Sequence, residues 1–214
     1  MKKNLPKLLS VLFILIFSSC LGLSMDIQMH RDGSGRISME YRFSSEAESI
    51  GRLDGNERWS IFAISRADWE RTVSRLDGVK LASFSSRERA NEIITGVTLD
   101  YENTNALLNF LGSEKASFSQ SGENRFDIIL IDPVSAEINP DLLELMRQVS
   151  SGYKFTMSFT AERNSALTLT DAAGKEIPPP SGCEIVSSGR KVSFSIDICE
   201  LFYLTDGFGI SVSY

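Results

Sequence analysis

MDIQMHRDGSGRISMEYRF, residues 25–43, is the stretch on which the reading of the fold turns. Met25, Ile27 and Met29 alternate with Asp26, Gln28 and His30; Ile37, Met39, Tyr41 and Phe43 alternate with Ser38, Glu40 and Arg42. A period of two marks a strand with one buried and one wet face, and Asp32-Gly33 between two such runs predicts a hairpin. Gly33 and Gly35 are expected to set its turn, because glycine reaches positive φ without steric cost.

Ahead of this hairpin, residues 21–24 read as a short tether. Before them come a cationic head (Lys2, Lys3, Lys7), an apolar run over 8–17 interrupted by Ser10, and then Ser18, Ser19 and Cys20. That is the layout of a secretory signal. About ten apolar residues are too few for a bilayer span, which takes ~20. Phe17-Ser18-Ser19-Cys20 resembles a bacterial lipobox, with Phe17 where Leu is usual. The resemblance implies a diacylglycerol thioether on Cys20, cleavage before it and acylation of the new amine. Stable anchoring needs more than one chain, which a triacylated cysteine provides. The expected organisation is a signal peptide over 1–19, a lipidated tether over 20–24 and a single α+β body over 25–214. Localisation follows as a membrane-anchored lipoprotein of the cell envelope, on its periplasmic or outer-surface side. No later run reaches spanning length; the nearest, 196–204, is broken by Asp197 and Glu200.

Beyond the hairpin, Ser45-Glu46-Ala47-Glu48 fits a capping box and predicts a short helix ending at Gly51. Residues 59–64 read as a short strand. A second capping signature at Ser65–Asp68 predicts a helix with Trp69, Val73 and Leu76 inward and Gly78 at its end. Residues 79–84 and 93–101 predict a second hairpin around a polar tip, 85–92. Asn103 or Thr104 then starts a helix with Leu107, Leu108 and Leu111 inward. A third hairpin is expected over 116–120 and 126–131, and Asn139-Pro140 starts another helix with Leu142, Leu145, Met146 and Val149 inward.

From 152 the pattern is nearly all β, with strands over 153–160, 166–170, 183–187, 191–198 and 208–214. This subregion, 152–214, either completes the earlier sheets or forms a second module; the junction at 150–152 is too short for a linker, which favours one body. The expected fold class is α+β: antiparallel hairpins with three to four short helices in the N-terminal part and a β-rich C-terminal part.

The 214 residues carry a net charge of −6, falling to −9 once Lys2, Lys3 and Lys7 leave with the signal peptide. Nucleic acid and anionic head groups are poor partners for such a surface as a whole, and no nucleic-acid partner is expected. Arg87-Glu88-Arg89 is mixed in sign, and no run of Lys or Arg builds a basic patch. Of the cysteines after Cys20, a turn near Ser188-Gly189 would set Cys183 opposite about Ser195. Cys199 then lies on the order of 13 Å further along at ~3.3 Å per residue, whereas a disulfide needs Cα atoms within ~7 Å. Two small buried side chains are expected, unless a bulge or bend brings them together.

The search for chemistry assigns no catalytic residue, metal or cofactor, and the expectation is a protein that is not an enzyme. His30 is the one histidine, at a strand end on the wet face. No Gly-x-Ser-x-Gly is present, and one histidine with two distant cysteines has no usual zinc spacing. Asp32-Gly33-Ser34-Gly35 lacks the alternating ligands and closing Glu of a calcium loop. Gly33-x-Gly35 lacks the third glycine of a dinucleotide site, and Asp206-Gly207-Phe208 has no kinase context.

After a lipobox, Met29-His30-Arg31-Asp32-Gly33-Ser34-Gly35 with Tyr41-Arg42-Phe43 resembles mycobacterial LppM-like lipoproteins and similar lipoproteins of spirochaetes. The resemblance implies a membrane-anchored, non-enzymatic protein that binds a glycolipid or another amphiphile. The alternative is a surface module for a partner protein, with the final strand ending at Tyr214 offering an edge; a hydrolase with an unrecognised site is the remote one. Met25, Met29, Met39, Tyr41 and Phe43 line either an acyl groove or closed core. A deep apolar pocket would favour the first reading, a flat aromatic patch the second, and a cleft of converging carboxylates the third.

Overall fold

The computed structural model describes residues 22–44, 65–89, 92–112, 116–119, 124–131, 144, 152–201, 203–204 and 206–214. The signal peptide and Cys20, the helix expected over 45–51 and the strand expected over 59–64 lie outside them, as does all but Glu144 of the helix expected over 139–149. The first hairpin is β1 (Gly22–Met29) and β2 (Gly35–Ser44), followed by α1 (Arg66–Val73), β3 (Val79–Arg89), β4 (Glu92–Tyr101) and α2 (Thr104–Leu111). Then come β5 (Ala116–Ser119), β6 (Arg125–Ile131), β7 (Lys154–Thr160), β8 (Ala166–Thr170), β9 (Glu184–Ser188), β10 (Lys191–Asp197), α3 (Ile198–Leu201) and β11 (Phe208–Ser213).

The protein is mostly β, with 56% of the described residues in strands and 15% helical, and this overturns the α+β class with three to four N-terminal helices. Among the described residues there are three helices, and one of them, α3, belongs to the C-terminal part. The signals at Ser65 and Asn103 do start helices, but short ones. Ser65 caps α1 in a reciprocal capping box with Asp68, and Asn103 caps α2 through Ala106 N–H, yet each runs for 8 residues. Strand extends into polar stretches whose local pattern predicts loop. The ladder of β3 and β4 continues through the expected polar tip to Arg89 opposite Glu92. β1 likewise starts at Gly22, inside the stretch read as tether.

One sheet has seven strands in the order β3-β4-β2-β1-β7-β10-β9, and a second has four in the order β5-β6-β11-β8. Strands of 152–214 thus complete both sheets. The expected hairpins are present as antiparallel pairs, but β1 pairs with β7 in parallel, Leu23 opposite Phe155 and Gln28 opposite Thr160. The hairpin's inward residues Ile27, Met29, Ile37, Met39 and Tyr41 are buried. They form part of one core with Phe126, Phe159, Phe194, Phe208 and Val212. The two sheets meet through aromatic rings: Phe126 stacks on Phe159 with centroids 5.8 Å apart, and Phe194 meets Phe208 edge-on at 5.9 Å. Over the β2–β4 part of the large sheet, Trp69 of α1 is buried and donates from Nε1 to the Tyr41 hydroxyl at 3.1 Å.

Two further expectations change. β11 lies between β6 and β8, so the last strand offers no edge for a partner; the edges of the two sheets are β3, β9, β5 and β8. Met39 and Tyr41 are closed core, Met25 is half-buried against it, and Met29 is buried with one edge toward the cleft described below, so together these residues form no open acyl groove. The side chain of Phe43 lies outside the described part. Cys183 and Cys199 are not bridged: Glu184 stands opposite Ser195, which sets Cys183 near Ile196, as the turn position had implied.

Candidate functional site

The parallel pairing of β1 with β7 has one consequence that matters for function. Parallel strands leave the sheet at the same end, so the loop after β1 and the loop after β7 emerge side by side. Gln28 and Thr160 are the last paired residues; two residues on stand His30 and Glu162. Between these loops is a cleft of about 340 Å³. Small-molecule sites span ~300–1,000 Å³, which places this one at the small end.

One wall is the turn His30–Gly33. His30 N–H donates to Ser34 O at 2.8 Å and Gly33 N–H to His30 O at 3.1 Å. Asp32 Oδ1 accepts from Ser34 N–H at 3.0 Å and from Ser34 Oγ at 2.7 Å. Those bonds, the hydroxyl's foremost, hold the Asp32 carboxyl below its ordinary pKa. Gly33 has φ +81°, as expected of the turn; Gly35 has no positive φ, and its role is different. The second wall is the β7–β8 loop with Glu162 and Arg163. Arg31 and Glu162 form an ion pair across the cleft, while Arg163 is exposed and makes no ion pair among the described residues.

The floor is apolar and aromatic: Met29, Phe118 of β5 and Tyr214, with Thr104 and Asn124 completing the lining. The ring of Tyr214 sits 6.3 Å from that of Phe118 and 5.2 Å from that of Phe159. Its hydroxyl donates to Met29 Sδ and its backbone N–H to Asn124 O. Burial pushes the Tyr214 phenol up to about 12. Burial also raises Tyr41 and Tyr101. The folded state therefore favours the neutral phenols. Stability is fully present below ~10, the phenol's value in an unfolded chain, and is lost as pH rises through the raised folded values. The urea midpoint should fall across that alkaline window, less steeply in Tyr214→Phe; a midpoint that stays level, or an unchanged slope in the variant, would refute the assignment.

His30 and Asp32, singled out as turn residues, do lie in the cleft, and sequence reading missed Glu162, Arg163, Phe118, Asn124 and Thr104. The cleft mixes an aromatic floor with a rim of both signs, unlike each of the three pocket types expected. Among the described residues no group of three or more His, Cys, Asp or Glu could hold a metal ion, and no helix is long and apolar enough to cross a membrane. No family model matches the chain, and no curated protein is significantly similar to it.

Proposed function

We propose that the chain is an envelope lipoprotein, held to a membrane through lipid on Cys20, whose body is a non-enzymatic binding module of the LppM-like kind. Its ligand site is the cleft at the His30–Gly33 turn. The observation that carries this reading is the pairing of an aromatic floor, Phe118 and Tyr214, with a guanidinium at the rim, Arg163, that makes no ion pair among the described residues. Guanidinium presents a planar fork that suits carboxylate or phosphate, and the floor suits an adjoining apolar part. An amphiphile has both. A cleft of 340 Å³ takes a head group with a short apolar stub rather than whole acyl chains, and the closed methionine core offers no extra room.

The test is titration of the full chain in lipid nanodiscs with a soluble short-chain phosphatidic acid, followed by calorimetry. Saturable binding is expected, and Arg163→Ala should weaken it by about 10- to 100-fold, the usual worth of a hydrogen bond to a charged group. No binding, or equal binding by the variant, would count against the cleft. A second reading, a module for another envelope protein, is supported by the edge strand β9, where Val186 is 49% exposed. Arg163→Ala and Val186→Asp separate the two: loss of binding in the first alone supports the cleft, and loss in the second alone supports the β9 edge.

A further inference from the structure

Arg31 and Arg163 line the cleft against Asp32 and Glu162, so its rim as a whole is neutral. The two walls carry these charges in opposite order. The β1–β2 turn reads Arg31-Asp32, cation then anion; the β7–β8 loop reads Glu162-Arg163, anion then cation. Arg31 and Glu162 satisfy each other across the gap. What is left is a carboxylate on one wall, Asp32, and a guanidinium on the other, Arg163. Both are exposed, and neither makes an ion pair among the described residues.

Asp32 is built to stay an anion. Its Oδ1 takes both bonds from Ser34, the N–H at 3.0 Å and the hydroxyl at 2.7 Å, while Oδ2 accepts none among the described residues. Hydrogen bonds to a carboxylate favour its charged form, so Asp32 is ionised at neutral pH. Its second oxygen remains able to accept from an ammonium. The floor agrees in sign. Aromatic rings attract a cation lying within ~6 Å of their faces, and Phe118 and Tyr214, both half-buried, line the cleft. A plain anion meets Arg163 but also the charge of Asp32; a plain cation meets Asp32 but also Arg163. Like charges brought together cost binding, and that cost is how a site turns away the wrong ligand.

We infer that the ligand of this cleft is a phosphate–ammonium zwitterion, its phosphate on Arg163 and its ammonium on Asp32. The inference deepens the binding function proposed above and rests on that reading of the cleft. It selects among amphiphiles. An ethanolamine phosphodiester head group carries both charges a few bonds apart and continues the alternation that the two walls begin. Phosphatidic acid carries one sign only and binds through Arg163 alone, against the Asp32 charge. The same chemistry exists in soluble form as the chain-free head, glycerophosphoethanolamine, which brings no apolar stub to the floor.

The experiment is calorimetric titration of the full lipidated chain in micelles of an uncharged maltoside detergent. The probes share the same short acyl chains: phosphatidylethanolamine, its N-acetyl derivative, which loses the ammonium and keeps the phosphodiester, and phosphatidic acid. Phosphatidylethanolamine is expected to bind about 5-fold tighter than the N-acetyl derivative, the upper worth of an exposed ion pair. Asp32→Asn should erase that ratio, since asparagine keeps an acceptor oxygen for Ser34 and removes only the charge. Equal affinities of the two probes for the wild-type chain, or a ratio that survives in Asp32→Asn, overturns the zwitterion. The wild-type comparison needs no substitution and decides the matter even where the variant does not fold. Binding of no probe, phosphatidic acid included, overturns the cleft reading and the inference with it, an outcome distinct from equal binding. Glycerophosphoethanolamine tells the two sources apart. It should bind more weakly than the lipid, which adds contact with the floor; affinity equal to the lipid's supports the charge pairing and identifies a soluble ligand.

Discussion

Gly35→Ala is expected to destabilise the body by about 2–4 kcal/mol, more than Gly33→Ala at about 1–2 kcal/mol. The order is the reverse of what backbone dihedrals alone would give, since Gly33 is the residue with positive φ. A side chain at Gly33 would meet nothing closer than Thr104 at 3.6 Å, so only the dihedral penalty applies. At Gly35 a Cβ would lie 2.6 Å from Tyr101 Cζ and closer still to the Tyr101 hydroxyl and the Gln28 carbonyl oxygen. Tyr101 stands opposite Gly35 in the β2–β4 register and is 2% exposed. Its ring crosses the glycine to place its hydroxyl 2.8 Å from Gln28 O, as a donor. Any side chain at 35 must displace that ring and break the bond tying β4 to β1. Urea unfolding of both variants measures the order; equal losses, or a larger one at Gly33, would mean that the ring has room to move.

Both glycines were legible as turn glycines, but the reason for the second was not. Close approach of a ring 66 residues away leaves no trace in a local pattern. The same division runs through the fold. The hairpins could be read because period-two alternation and turn residues are local. The caps of α1 and α2 could be read because Ser65 and Asn103 act on the next few residues. The extent of β3 could not: at an edge strand, Ser85 to Arg89 are all exposed, so no alternation of burial exists to be written into residue type. The parallel pairing of 23–28 with 155–160 was invisible for a deeper reason, since nothing local encodes which distant strand arrives as neighbour. The cleft descends from that pairing. Half of the cleft, His30 to Gly33, was therefore seen as a turn, and its other half, Glu162 and Arg163, was not seen.

Phe159→Ala should be the most damaging single truncation near the cleft, at about 3–5 kcal/mol for a fully buried phenylalanine. Phe159 is 1% exposed and the last residue but one of β7, with Ile27 of β1 on one side and Val192 of β10 on the other. Its ring stacks on Phe126 of the small sheet and supports the Tyr214 ring at 5.2 Å. Removing it opens a void between the sheets and takes away the support of the cleft floor. Two losses should therefore appear together: a lower urea midpoint, and weaker binding of the short-chain phosphatidic acid under conditions where the variant is still folded. Phe155→Ala is the comparison, because Phe155 lies on the same face of β7, is only half-buried, and packs on Phe194, away from Tyr214. It should lower the midpoint less and leave binding alone. If Phe159→Ala kept full affinity in its folded state, the aromatic floor would be dispensable and recognition would rest on the arginine rim alone.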